Sequence, residues 1–137
     1  MQRHRVPIGD GRLSIAIEDY LRAIIILEDA GEAPSTAHIA RRLGFAYASV
    51  TQMVQRLATL GLVDYLPYRA LRLTAEGRRA AEVVLRRHQL MCTYLERELG
   101  FAPPAALAEA DRLEHAMSPE LCRRIEQRLL IGHDPRF

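Results

Sequence analysis

The chain has 137 residues, 49% of them hydrophobic, so it is long enough to bury a core as one domain or a small domain with a compact extension. Charged residues make up 26% and the net charge is +2, which excludes disorder as the default and permits nucleic-acid binding only through a local patch. The two cysteines lack CxxC spacing and every apolar run is too short for a bilayer, so we expect a reduced, cytoplasmic protein without membrane association.

The first part of the chain predicts three helices. Ser14 is an N-cap candidate, and apolar residues follow it at helical spacing until Gly31. Ser35 begins a second helix, which Gly44 ends, and a third helix starts within about four residues and stops at Gly61. Two short helices joined by a turn that contains glycine predict a helix-turn-helix.

The hydrophobic period changes after this point. Residues 62–74 alternate apolar and polar on both sides of Pro67, as a short β-hairpin does. A helix-turn-helix followed by a two-stranded ribbon is a winged helix.

The remainder of the chain predicts helices only. Thr74 begins a long helix that ends near Leu99, and a helical pair follows at about 104–117 and 119–130, with Ser118 as N-cap of the last helix. The predicted fold is therefore mainly α: an N-terminal winged helix-turn-helix with a two-stranded wing, followed by a helical domain.

The third helix is the predicted recognition helix. Its apolar residues share one side, which leaves hydroxyl and amide side chains on the outward side, where they can reach base edges. Arg41, Arg42 and the wing arginines Arg69 and Arg72 would contact phosphates, which fixes register without reading sequence. The predicted DNA-binding residues are Ser49, Thr51, Gln52, Gln55, Arg56 and Arg69. The alternative is that this winged helix is a protein-interaction module.

A run of residues that can bind metal lies near the C-terminal end. Asp111, Glu114 and His115 are three and four positions apart, so on one helix they would share a face. Two carboxylates and one imidazole are a donor set typical of a divalent metal site. The alternative is a solvated helix surface, which is the usual role of charged residues at this spacing.

Three stretches of the chain, Ser35–Leu43, Ser49–Leu57 and Tyr68–Gly77, resemble one known family. They are similar to the metal-dependent repressors of the diphtheria toxin repressor family, in particular to its short branch, the manganese transport regulators. The resemblance covers roughly residues 15–130.

The predicted domain organisation follows the same pattern. We expect a flexible N-terminal arm over residues 1–13, a winged-helix DNA-binding domain over 14–75 and a helical dimerisation and metal-binding domain over 76–137.

The resemblance implies a metal site that draws on two helices. Asp19 of the first helix would join Asp111, Glu114 and His115, and His88 would belong to the same centre. The iron sensors of the family have Met and Cys where this chain has Asp19 and Asp111, so the harder oxygen donors imply Mn²⁺, with Fe²⁺ as the alternative. Without the resemblance, Asp19 is an acid near a helix start, where the macrodipole favours it.

The most informative departure from the family's pattern lies on the first helix. Manganese regulators have a Glu one turn after the first-helix Asp, where it helps to hold a second ion together with the histidine that matches His88. This chain has Arg22 there, and a guanidinium cannot bind a cation and repels one nearby. We therefore expect one ion per subunit, with His88 supporting the ligands rather than binding the ion.

The resemblance implies a repressor of metal-uptake genes that binds palindromic double-stranded operator DNA as a homodimer. Apolar residues of the last two helices are the candidate dimer contacts, namely Leu107, Ala110, Leu121, Ile125 and Leu129. The alternative for these residues is the chain's own core, where we expect a fair share of them. An alternative is a winged-helix regulator that senses an organic ligand. An enzyme is not expected, because the sequence has no nucleophile motif, no Gly-rich phosphate loop and no His-Glu-x-x-His.

Overall fold

A computed structural model of the chain describes residues 13–65 and 69–131. Helices dominate these residues, and one short antiparallel sheet accompanies them, so the predicted mainly α winged-helix fold is confirmed. The predicted N-terminal arm, apart from Leu13, lies outside the described residues. The chain divides into two compact units, residues 1–82 and 83–137, and the division falls within the fourth helix.

The described part of the N-terminal unit contains three helices, the sheet and the beginning of a fourth helix. These elements are α1 (Ile15–Asp29), α2 (Thr36–Leu43), α3 (Tyr47–Thr59), β1 (Val63–Asp64), β2 (Arg72–Leu73) and α4 (Ala75–Leu99). The predicted caps are confirmed: Ser14 Oγ accepts the Ile17 amide at 3.3 Å, and Ser35 Oγ accepts the His38 amide at 3.1 Å. Gly44 ends α2 in the left-handed region with φ 70°.

The two strands of the wing pair in antiparallel fashion, with Val63 opposite Leu73 and Asp64 opposite Arg72. Thr74 begins α4 as predicted, because its Oγ1 accepts the Gly77 amide at 3.0 Å. A Cβ atom at Gly77 would lie 1.8 Å from the Leu62 carbonyl oxygen. The first turn of α4 therefore packs directly on the backbone that leads into β1.

The C-terminal unit contains the rest of α4, then α5 (Pro103–Leu113), a 3₁₀ turn (Glu114–Ala116) and α6 (Pro119–Ile131). Its core is formed by buried apolar side chains, namely Leu90, Met91, Leu95, Ala106, Ala110, Met117, Ile125 and Leu129. Ser118 is confirmed as the cap of α6, since its Oγ accepts the Leu121 amide at 3.1 Å. Among residues 13–65 and 69–131, no helix combines the length and apolarity needed to cross a bilayer.

The structure separates the candidate dimer contacts of the C-terminal unit into two groups and corrects one helix boundary. Ala110, Ile125 and Leu129 lie in the unit's own core, as expected for a share of these residues, whereas Leu107 and Leu121 are 49% and 42% exposed. The predicted helix over residues 104–117 is too long, because α5 ends at residue 113 and a 3₁₀ turn follows. Helical spacing in the sequence does not distinguish a leucine of the core from a leucine of the surface, so only the structure separates these residues.

Candidate metal centre and DNA-binding face

Glu114 is the most deeply buried charged residue that the structure describes. Its exposed fraction is 1%, and it lies where α5 gives way to the 3₁₀ turn. The Met117 amide donates to the Glu114 carbonyl at 3.3 Å, and the Met117 side chain is also buried, so the turn is fixed against the core. A carboxylate in such a position is costly unless hydrogen-bond donors or a cation compensate its charge.

The partners of Glu114 within the C-terminal unit are two imidazoles. Its Oε2 contacts His88 Nδ1, and its Oε1 lies 3.4 Å from His115 Nε2. Asp111 Oδ1 lies 3.7 Å from the same His88 Nδ1. The side chains of His88 and His115 are 14% and 8% exposed, whereas that of Asp111 is 48% exposed. The four side chains thus form one cluster that is buried at Glu114 and open at Asp111.

This cluster has the chemistry of a divalent metal site. His88, Asp111 and Glu114 each offer one ligand atom, and the three atoms lie within 4.8 Å of one another. One imidazole nitrogen and two carboxylate oxygens suit Mn²⁺, Fe²⁺ or Zn²⁺. The donor types present therefore fit a bound metal. In this grouping His88 offers a ligand atom, which differs from the supporting role expected for it with a single ion.

The prediction of a continuous helix over Asp111–His115 is wrong, because the helix ends at Leu113. A 3₁₀ turn advances about 120° per residue instead of about 100°, so side chains leave at different angles after that point. The carboxylate of Glu114 lies between two imidazoles: Oε2 faces His88, which Asp111 also approaches, and Oε1 faces His115.

Cys92 is a neighbour of the cluster that the sequence analysis did not include among the metal-site residues. Its Sγ lies 3.6 Å from His88 Nε2, one helical turn along α4. Contacts at both ring nitrogens fix the imidazole plane and direct Nδ1 towards the carboxylates. The spacing of four residues between His88 and Cys92 was the signal that could have revealed this contact.

Asp19 and Arg22 belong to the N-terminal unit. Both are half-buried on α1, three positions apart, and therefore lie on one side of that helix. The preceding Glu18 is only 3% exposed, which the sequence analysis missed. The place of Asp19 in the metal centre, and the effect of Arg22 on it, remain predictions.

The predicted recognition helix α3 presents the expected face. Val50, Val54 and Leu57 are fully buried on its inner side. Four of the predicted DNA-binding residues of this helix are exposed, namely Ser49, Gln52, Gln55 and Arg56, as is Arg69 in the wing. Thr51 differs from them because it is half-buried and its hydroxyl donates to the Tyr47 carbonyl at 3.1 Å.

Two exposed aromatic residues beside this face were missed by the sequence analysis. Phe45 and Tyr47 are 49% and 59% exposed, and they line an open cavity of about 490 Å³ together with Arg41. The Thr36 hydroxyl donates to the Tyr47 phenol at 3.0 Å, which joins the two helices of the motif. Residues 33–63 contain no carboxylate, so no acidic side chain of this segment offsets its three arginines.

Comparisons with known proteins show which family this chain resembles. A family described as "Iron dependent repressor, N-terminal DNA binding domain" matches residues 12–71. A second, "Iron dependent repressor, metal binding and dimerisation domain", matches residues 74–133.

Individual relatives include regulators of different lengths. The transcriptional regulator MntR of Escherichia coli is 38% identical over 105 residues, 76% of this chain and 66% of its own length. An uncharacterised HTH-type transcriptional regulator of Methanocaldococcus jannaschii is 35% identical over 115 residues, 83% of this chain and 92% of its own. The diphtheria toxin repressor of Corynebacterium glutamicum is 41% identical over 120 residues, but the match covers only 53% of its length.

A solved structure of a manganese-dependent transcriptional repressor in complex with manganese has a TM-score of 0.72 and 38% identity to this chain. The match covers 82% of this chain and 52% of that one. This chain therefore spans just under two thirds of the Escherichia coli relative and about half of the longer repressors.

Proposed function

We propose that this chain, which belongs to the iron dependent repressor family, is a metal-responsive transcriptional repressor that binds palindromic operator DNA as a homodimer. The metal is Mn²⁺ in this proposal, and one ion is bound per subunit.

The observation that carries the proposal is the buried carboxylate of Glu114 between two imidazoles. A side chain with 1% exposure and this donor set has little purpose as a helix surface, which was the alternative for this run of residues. A divalent cation supplies the positive charge that lets several carboxylates face one another. His88 and His115 hold the two oxygens of Glu114 in place, and Asp111 approaches from the solvent side.

The donor atoms favour Mn²⁺ over softer metals. The set proposed from the resemblance is Asp19, Asp111, Glu114 and His115, with His88 beside them, and it contains only oxygen and nitrogen. The sulfur of Cys92 contacts the opposite nitrogen of the His88 ring and so is separated from the carboxylates by that ring. Hard donors suit Mn²⁺, although later transition metals bind such sites more tightly where the cell supplies them. Fe²⁺ is the alternative.

DNA recognition is assigned to α3 and the wing. Ser49, Gln52 and Gln55 are exposed on α3 and would meet base edges, while Arg56 and Arg69 would meet phosphates. A ligand from α1 would make DNA binding depend on metal, because α1 belongs to the same compact unit as the recognition helix. Leu107 and Leu121 are the exposed apolar residues proposed for dimer contacts.

The main test is DNA binding with and without metal. Fluorescence anisotropy on the operator region upstream of the protein's own gene should give tight binding with Mn²⁺ and weak binding after chelation. Glu114→Gln should abolish this difference and lower Mn²⁺ affinity by more than about 100-fold, since even outer partners of ligands change metal affinity by about 10–100-fold.

Glu109→Gln is the matched control. Glu109 lies on the same helix as Asp111 and pairs with Arg112, outside the cluster. Its variant should respond to Mn²⁺ like the parent. Equal DNA binding by the parent with and without metal would contradict the metal-sensor proposal and favour a regulator of another ligand class.

Metal stoichiometry tests the single-ion part separately. Titration calorimetry with Mn²⁺ should saturate at one ion per chain, and Arg22→Glu should raise this to two because a carboxylate replaces the repelling guanidinium. Saturation of the parent at two ions, with both lost in His88→Ala, would overturn the single-ion proposal and leave the repressor proposal intact.

A further inference from the structure

The wing of the N-terminal unit is too short to hold its own position. Each strand has two residues, and the ladder consists of two pairs, Val63 with Leu73 and Asp64 with Arg72. Isolated two-stranded hairpins are marginally stable at best, and this one is at the lower end of strand length. Contacts with another element must therefore fix β2.

Those contacts come from the end of α1 and the segment that follows it. The Leu73 amide donates to Glu28 Oε1 at 2.8 Å, and the Leu71 amide donates to the Pro34 carbonyl at 2.7 Å. Alternate residues of a strand direct their amides to the same edge, so both bonds hold one edge of the segment. Glu28 provides the side-chain bond, and 45 residues separate it from its partner along the chain.

The other oxygen of Glu28 is held from α4. Arg78, in the first turns of that helix, lies 3.4 Å from Glu28 Oε2 and 2.7 Å from Asp29 Oδ1. The carboxylate of Glu28, whose side chain is 20% exposed, thus bridges the wing backbone and a guanidinium. All of these residues belong to the N-terminal unit.

The position of the two acids on α1 is unfavourable for the helix itself. Glu28 and Asp29 occupy its last turn, which has no basic residue, and the macrodipole places partial negative charge at that end. Acidic side chains there weaken the helix unless another contact offsets the repulsion. The bonds to the wing and to Arg78 are such contacts.

We propose that Glu28 is a positioning residue for DNA binding, which holds β2 so that the wing arginines Arg69 and Arg72 meet the phosphate backbone. This inference rests on the proposed function for its DNA target. It also gives α1 a second role. This helix contains Asp19, and nine residues later it contains Glu28, whose side chain binds the wing backbone.

Hydrogen exchange tests the support of the wing without metal or DNA. In Glu28→Ala the Leu73 amide should exchange at least about tenfold faster than in the parent, because its acceptor is gone. Glu28→Gln keeps an oxygen acceptor and should restore most of the protection. Glu32→Gln is the charge-matched control at an exposed position and should leave the exchange of Leu73 unchanged. Unchanged protection in Glu28→Ala would overturn the proposal.

DNA affinity tests the functional consequence, with Mn²⁺ present throughout. Removing a negative charge should by itself strengthen attraction to DNA, whereas loss of wing positioning should weaken binding. We expect about tenfold weaker binding in Glu28→Ala and a lower salt dependence, because phosphate contacts of the wing are lost.

A double-mutant cycle separates positioning from general damage. In a background of Arg69→Ala and Arg72→Ala, Glu28→Ala should weaken DNA binding by less than about twofold, since the contacts that it positions are already absent. Full additivity, or unchanged affinity in Glu28→Ala alone, would overturn the inference while the repressor proposal stands. Failure of the parent itself to bind operator DNA would instead overturn the proposed function and the DNA role of Glu28 with it.

Discussion

Glu28 in the N-terminal unit and Glu114 in the C-terminal unit are both carboxylates held largely away from solvent, but their partners differ in kind. Glu28 meets a backbone amide and a guanidinium, which are permanent donors. Glu114 meets two imidazoles, which bring positive charge only when protonated. The contacts of Glu28 join α1 to β2 and α4 and so stabilise the N-terminal unit. The cluster around Glu114 brings together carboxylate oxygens and imidazole nitrogens, which are donor atoms of divalent metal sites.

The two units should also differ in how substitutions change stability, and the largest loss of unfolding free energy is expected in the N-terminal unit. Gly77→Ala would place a methyl group 1.8 Å from the Leu62 carbonyl oxygen, and a backbone atom cannot move aside cheaply. We expect the unfolding free energy to fall by about 3 kcal/mol or more, at the upper end of overpacking effects. Urea unfolding followed by circular dichroism measures it, and a loss below about 0.5 kcal/mol would contradict the packing described.

Metal-linked stability is the next largest effect and concerns the C-terminal unit. Ligand at about 100 times its dissociation constant stabilises a folded protein by about 2.7 kcal/mol. Mn²⁺ should therefore raise the unfolding free energy of the parent by roughly this amount and leave Glu114→Gln unchanged. Equal stabilisation of both proteins would show that Mn²⁺ binds elsewhere. Calorimetric melting with and without chelator is the measurement.

Substitutions at helix N-caps should change the unfolding free energy by less, and they should lower or raise it according to whether a cap is removed or added. Ser35→Ala removes the side-chain acceptor of the His38 amide and should cost about 1 kcal/mol. Ala46 occupies the equivalent position before α3, has extended backbone and makes no side-chain cap bond, so Ala46→Ser should stabilise by up to about 1 kcal/mol. Denaturant titration of both variants measures the pair, and a stabilising Ser35→Ala would contradict the assignment of the cap.

The smallest effect is expected at the exposed start of α6. Hydrogen bonds from Arg123 and Arg124 lower the pKa of Glu120. A lowered pKa means that the contribution to stability is present at neutral pH and is lost as the pH falls through the carboxyl's range. Glu120→Gln should therefore reduce the melting temperature slightly at pH 7 and still less in acid or high salt. A larger difference in acid would contradict this sign.

Local signals in the sequence predicted most of the N-terminal unit. Ser14, Ser35 and Thr74 each precede an apolar period, and their side chains accept amides where the pattern indicated helix starts. The glycine of the helix-turn-helix and the alternation of the wing are equally local. Such features depend on a few neighbouring residues, so one sequence suffices to find them.

The geometry of the candidate metal centre was harder to predict from local sequence signals. No glycine or proline marks the end of α5 at Leu113, and the turn there depends on the burial of Glu114 and Met117. The contact of Cys92 with His88 lies within one helix and was predictable from spacing. The bond between Glu28 and Leu73 was not, because it joins residues 45 positions apart and one partner is a backbone amide.

The segment without carboxylates, residues 33–63, has a consequence for the kinetics of target search. We expect any attraction of this segment to phosphate to be independent of metal, because arginine keeps its charge at all physiological pH values. We expect the metal-free protein to remain loosely associated with the chromosome and to move along it by sliding and hopping. When metal becomes abundant, the operator would then be reached from nearby DNA rather than from bulk solution, and the residence time there, rather than the rate of arrival, would report the metal concentration.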